Sequence, residues 1–219
     1  MILPIGNVLS PSEIDEVRIE LAAIRFEDGR STAGWSARLV KNNRQAAPGA
    51  RSEAMCLKLA EHILANEVFA AAVRPKALTP LLISRYQPGQ AYGSHIDDAL
   101  IGGLRTDVSF TLFLAAPESY EGGELVIEGT SGDERIKLPA GSLIAYPSTS
   151  LHHVAPVTAG ERLAAVGWAR SFIRDSGQRE ILFDLDRARR ALFAREGKTA
   201  EFDLLSKSLA NLTRMWAED

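Results

Sequence analysis

The sequence predicts an α+β fold, with a jelly-roll-like core of antiparallel strands held between helical segments. Three observations predict it: a capped, periodically apolar helix opens the chain, short β-forming segments parted by turn residues fill its middle, and two further helical stretches close it. Of 219 residues, 46% are hydrophobic and 24% charged. That balance is globular and large enough to bury a core without staples.

The first helix is announced by Ser10-Pro11-Ser12-Glu13, a capping box with proline at the first helical position. Ile14, Val17, Leu21 and Ile24 follow at helical spacing, which predicts one buried face. A second helix is expected from Glu53 to Ala72, with Met55, Leu59, Ile63 and Leu64 inward. Residues 29–49 between them read as loop or irregular strand. From about Leu78 the pattern changes to strands at 81–86, 107–115, 124–128, 134–138, 142–146 and 162–172. Turn signals such as Gln87-Pro88-Gly89, Glu121-Gly122-Gly123 and Pro139-Ala140-Gly141 separate them. After Arg174, Ile181, Leu182, Leu185, Leu192 and Phe193 mark a helix that stops near Gly197, and Thr199 caps a last one carrying Phe202, Leu205, Leu209, Leu212 and Trp216. This closing pair is expected to pack on the barrel, to form a small subdomain or to make a dimer contact.

Composition excludes several functions. A net charge of −3 gives no basic surplus for nucleic acid, and Arg187, Arg189, Arg190 and Arg195 read as a solvated helix face. The single cysteine, Cys56, cannot form an internal disulfide and fits a reducing compartment. The start, Met-Ile-Leu-Pro-Ile-Gly-Asn, has neither a basic region nor a long apolar run, so no signal peptide or membrane span is expected and the cytoplasm is the default location.

Of four histidines, three fall in the β region. Along a strand alternate side chains share a face, so His95 and Asp97 can grip one ion while Ile96 and Asp98 point away. A slip of one residue would exchange Asp97 and Asp98. A third ligand is expected from His152 or His153. Two imidazoles and one carboxylate hold one face of an octahedron, which suits non-haem iron(II) activating dioxygen. A zinc hydrolase can use similar ligands, and a cupin-like binding module can keep a similar barrel. His-x-Asp alone is a weak signal.

Longer stretches carry a resemblance. Tyr86-Gln87-Pro88-Gly89-Gln90-Ala91-Tyr92-Gly93-Ser94-His95-Ile96-Asp97, Glu121-Gly122-Gly123-Glu124-Leu125, Leu138 to Ser142, Tyr146 to His152 and Val154 to Arg162 resemble, in order, the motifs of prolyl/lysyl-hydroxylase-like 2-oxoglutarate oxygenases. Lys41-Asn42-Asn43, Arg105-Thr106-Asp107 and Gln178 to Asp186 look like the bacterial PKHD-type hydroxylases of the iron-uptake-factor group, and the similarity covers essentially the whole chain. The resemblance implies a double-stranded β-helix core over 77–174, N-terminal helical support over 1–76 and a C-terminal helical extension over 175–219. It implies Fe(II) on His95, Asp97 and His152, the last preferred to His153 because the family places this ligand after Ser-Leu. His153 is then a supporting or solvent residue, and His62 is structural or exposed.

The resemblance also places 2-oxoglutarate on Arg162, whose fork suits a planar carboxylate as lysine does not, with Tyr86 adding a hydroxyl. Tyr92 is expected to line the pocket, and Trp168, on the strand face of Arg162 by two-residue alternation, to close the pocket or, as the preferred reading, to fill the core. Asn42, Asn43 and Arg85 are candidate substrate contacts. The implied reaction couples oxidative decarboxylation of 2-oxoglutarate to hydroxylation by dioxygen of a small-molecule or peptidyl substrate, linked to iron or siderophore uptake, with L-ascorbate as reductant. A related halogenase would need a small residue at position 97. A non-catalytic iron or 2-oxoglutarate sensor is the alternative on the same fold.

Overall fold

The computed structural model describes residues 1–219. Its strands are β1 (Leu3–Ile5), β2 (Phe26–Asp28), β3 (Lys41–Asn42), β4 (Arg44–Ala46), β5 (Pro75–Leu78), β6 (Leu82–Tyr86), β7 (Ala91–His95), β8 (Leu100–Ile101), β9 (Leu104–Arg105), β10 (Val108–Phe113), β11 (Tyr120–Gly122), β12 (Leu125–Ile127), β13 (Glu134–Ile136), β14 (Leu143–Pro147), β15 (His152–Val154), β16 (Val157–Gly160) and β17 (Arg162–Ser171). A major sheet runs β1-β14-β10-β17-β6-β4-β2, with β5 also paired to β17. A minor sheet runs β13-β12-β15-β7-β3. Every pairing is antiparallel, and the two sheets face each other as a jelly roll, as the strand spacing predicts.

Regular strands were expected from about Leu78, with residues 29–49 read as loop or irregular strand. β1 and β2 are edges of the major sheet, with β4 just inside β2, and β3 is an edge of the minor sheet, so the first 76 residues are part of the sandwich as well as its support. These strands are two or three residues long, too short for a period-two pattern to register.

The helices cover the outer face of the major sheet. They are α1 (Pro11–Ala22), α2 (Ala50–Ala65) and α3 (Glu67–Val73). The expected capping box closes α1, where the Glu13 amide donates to Ser10 Oγ and the Ser10 amide donates to Glu13 Oε2. The predicted second helix is two helices, because Asn66 leaves helical backbone and its side chain accepts from the amides of Val68 and Phe69. Met55, Leu59 and Ile63 are buried as expected, whereas Leu64 lies about 100° further round the helix and is exposed.

The core depends on alternation along β10 and β17. Phe110 and Leu112 meet Phe69, Leu59 and Val17 under the helices, with Phe110 and Phe69 edge to face at 5.4 Å. Each such buried side chain contributes about 1.5–3 kcal/mol. The intervening Ser109, Thr111 and Phe113 are also buried, but face the minor sheet. On β17, Leu163, Ala165 and Ala169 join the helix side while Arg162, Val166 and Trp168 face inward.

The C-terminal pair, α4 (Ser176–Glu196) and α5 (Ala200–Trp216), is capped by Asp175 and Thr199, and Gly197 ends α4 at φ 71°. Leu182 and Leu209 close a small separate core with Ile173, whereas Ile181 and Phe193, which also marked this helix, are about half exposed. No helix is long and apolar enough to cross a membrane.

One turn is demanding. Gly122 has φ 68°, and an added Cβ would overlap the Pro156 carbonyl oxygen where β11 meets β16. Gly122→Ala is expected to cost at least ~1–2 kcal/mol from left-handed backbone alone, and more from the overlap, read as a lowered denaturant midpoint.

Candidate metal centre

A cavity lies between the two sheets, floored by β10, β17 and β6 and walled by β7 and β15. The strand pairing of β7 with β15 sets His95 directly opposite His152, and their rings stand 4.3 Å apart. Asp97 follows two residues after His95, just past the strand end, still on the same side. Its Oδ1 lies 3.9 Å from His95 Nε2 and its Oδ2 lies 3.7 Å from His152 Nε2. Ligand atoms of all three residues fall within 4.8 Å of one another, as in groups that share one ion.

The surroundings aim these groups. His95 Nδ1 is 2.9 Å from the Gly93 carbonyl and His152 Nδ1 is 3.1 Å from the Ser150 carbonyl. With Nδ1–H donating to a carbonyl on each ring, both Nε2 lone pairs are left for the common point. Ser109 Oγ donates to Asp97 Oδ2 at 2.6 Å and stands 2.8 Å from Ser148 Oγ. Tyr92 stacks on His95 at 3.7 Å, and Tyr146 meets His152 edge-on. Burial, helped by the neighbouring His152, lowers His95 to about 4. It is therefore neutral at physiological pH, the form that coordinates a metal.

The neighbours in sequence point elsewhere. Ile96 and Asp98 are exposed, Asp98 at the cavity mouth. His153 lies on the other face of β15, 3.1 Å from Glu128 Oε1. His62 sits on α2, 3.6 Å from Glu13. Cys56 hydrogen-bonds the Leu81 carbonyl, and burial raises its thiol to about 11.

Arg162 is the largest fully buried side chain, at 1% exposure. It pairs across strands with Tyr86, and its guanidinium lies over the Tyr86 ring at 5.2 Å and the Phe113 ring at 5.5 Å. Its Nε has no hydrogen-bond partner. A dry guanidinium without a carboxylate is costly unless an anion joins it. Burial holds the Tyr86 phenol above its ordinary value, against the opposing pull of Arg162, so it remains a donor.

Other expectations change. Trp168, for which core was preferred to pocket, lines the cavity, and its buried indole N–H has no partner. This is the side that two-residue alternation shares with Arg162, since positions 162, 164, 166 and 168 lie on one strand face. Among the candidate substrate contacts, Asn43 lines the cavity with both amide atoms unpartnered. Asn42 instead donates to the Gly89 carbonyl, and Arg85 stacks on Phe26 with its Nε 3.8 Å from Glu161. Lys41 and Gln45, both buried cavity residues, were not singled out for any role of their own.

The fold and the cluster define a class, and comparison with known proteins agrees. Residues 81–170 match the 2OG-Fe(II) oxygenase superfamily and residues 176–218 match the PKHD-type hydroxylase C-terminal domain. The chain is 54% identical over 219 residues to a PKHD-type hydroxylase of Picosynechococcus, and 55% identical over 220 residues to one of Acaryochloris marina, each covering 100% of both proteins. Among solved structures it is similar in fold to a Pseudomonas putida prolyl-4-hydroxylase (TM-score 0.52, 22% identity, 78% of this chain and 92% of that one). It is also similar to a Trichoplax adhaerens prolyl hydroxylase (TM-score 0.55, 17% identity, 82% and 86%). The chain belongs to the PKHD-type hydroxylases, enzymes of the 2OG-Fe(II) oxygenase superfamily. That membership implies iron(II), 2-oxoglutarate and dioxygen.

Proposed function

We propose that this hydroxylase holds Fe(II) on His95, Asp97 and His152 and the distal carboxylate of 2-oxoglutarate on Arg162 and Tyr86. One observation carries the reading: a buried, unpaired guanidinium shares a cavity with a converging imidazole, imidazole and carboxylate set. The donors fit the ion, since two nitrogens and one oxygen on one side leave the other side open. When bound, iron(II) and 2-oxoglutarate supply the oxidising power that places a hydroxyl on an unactivated carbon.

The chain's own residues do the rest. Arg162 and Tyr86 fix one end of the cosubstrate, and the walls of the cavity keep bulk water from the reacting atoms. The Gly93 and Ser150 carbonyls orient the rings, and Ser109 holds the carboxylate. Similarity at Lys41-Asn42-Asn43 and Gln178 to Asp186 to the iron-uptake-factor group supports a substrate met in iron acquisition, with ascorbate as reductant.

The test is succinate formation by protein purified without oxygen. It should require both added iron(II) and 2-oxoglutarate, and it should reach background in His95→Ala. Binding of both without turnover on any candidate substrate would favour a sensor. Ser109→Ala removes the hydroxyl that orients Asp97 and is expected to weaken metal affinity roughly 10–100-fold, read by competition with a chromogenic chelator.

A further inference from the structure

The cavity holds a second buried cation besides Arg162. Lys41, on the edge strand β3, is 5% exposed, and its Nζ lies 5.0 Å from the Tyr92 ring centroid. Its one hydrogen bond goes to a neutral oxygen, Thr32 Oγ1 at 3.0 Å. Thr32 in turn donates to Gln45 Oε1 at 2.6 Å, so the ammonium sits in a polar roof joining the two sheets. The two acidic residues whose charges reach it are otherwise engaged. Asp97 faces the imidazoles and Ser109, while Asp28 caps the Arg30 amide. Burial brings Lys41 down to about 8 from 10.5, which still leaves it mainly charged at neutral pH. Across the cavity the indole N–H of Trp168 is a buried donor without an acceptor.

Charge balance says what is missing. On the reading given above, the divalent ion and Arg162 together balance Asp97 and the two carboxylates of 2-oxoglutarate. Asp98 is solvated at the mouth. The charge on Lys41 is then met only by a neutral hydroxyl and a ring face, and an uncompensated buried charge is costly. We infer that the part of the cavity at Lys41 and Thr32 is a substrate subsite for a carboxylate. The substrate is thus a carboxylic acid that presents a C–H bond to the iron while its carboxylate sits on the Lys41 ammonium. This deepens the proposed function and rests on it.

The probe is a panel of N-acetyl amino acids and the matching neutral carboxamides, added to the whole chain with 2-oxoglutarate, the diamagnetic zinc(II)-loaded protein serving for the resonance and the iron(II)-loaded protein for turnover. Readouts are the Trp168 indole N–H resonance, assigned with Trp168→Phe, and substrate-stimulated succinate formation. Carboxylates are expected to move that resonance and to bind roughly 10–100-fold more tightly than the amides. Lys41→Met should erase the preference and Lys41→Arg should keep it. Equal binding of acids and amides, or no response to any acid, overturns the inference even with no variant in hand. So does a loss of 2-oxoglutarate affinity in Lys41→Met as large as the loss of acid binding, which would assign the ammonium to the cosubstrate. Failure of the wild-type protein to bind 2-oxoglutarate overturns the underlying reading together with this one, whereas normal 2-oxoglutarate binding without acid preference overturns this one alone.

Discussion

Arg162→Met is expected to raise the Kd for 2-oxoglutarate by roughly 30-fold to several thousand-fold, the 2–5 kcal/mol cost of removing one partner of a buried charged pair. The same change should not destabilise the ligand-free protein. An ordinary buried arginine holds a carboxylate, and its loss strands that charge. Arg162 strands nothing, since its neighbours are the rings of Tyr86 and Phe113 and its Nε is unpartnered. Thermal unfolding of the variant should therefore begin at or above the wild-type temperature and should no longer shift on adding 2-oxoglutarate. Arg162→Lys should recover only part of the affinity, because an ammonium cannot make the paired hydrogen bonds of a guanidinium. A variant that unfolds early yet binds 2-oxoglutarate normally would make Arg162 a structural residue.

Asp97→Ala should abolish stoichiometric iron binding and reduce turnover to background, a larger loss than the roughly 10–100-fold expected for groups that only orient a ligand. The carboxylate is the one anionic member of the set, and it stands within 4 Å of both imidazole Nε2 atoms. His153→Ala is the matched control. That imidazole is paired with Glu128 on the far side of β15, so its removal should leave metal affinity unchanged. Equilibrium dialysis with metal analysis separates the two variants.

The legible and illegible parts of this chain differ in range. The Ser10 capping box, the Gly197 stop and the Thr199 cap are local, written within four residues and readable as such. The convergence of His95, Asp97 and His152 was legible for a related reason. Two-residue alternation put His95 and Asp97 on one side, and family motifs supplied His152 where alternation alone left two candidates. Strand β10 hid its information in plain view, since Ser109 and Thr111 in an otherwise apolar run mark the face that looks into the cavity. For Trp168 the alternation it shares with Arg162 left pocket and core both open, and the preference for core was the wrong one. Lys41 stood in a family-like motif but carried no local signal of burial. Its burial arises from Thr32, Tyr92 and Gln45, brought together by pairing of short edge strands that no periodicity reveals. The break at Asn66 turned on one side chain capping the next helix within an otherwise continuous helical pattern.

The decisive experiment is a crystal structure of the wild-type protein grown without oxygen in the presence of iron(II) and 2-oxoglutarate. It should hold one ion bonded to His95 Nε2, His152 Nε2 and an Asp97 oxygen, with the far carboxylate of 2-oxoglutarate against the Arg162 guanidinium. An ion bound elsewhere, or a cosubstrate that leaves Arg162 unpaired, would contradict the assignment of this cavity.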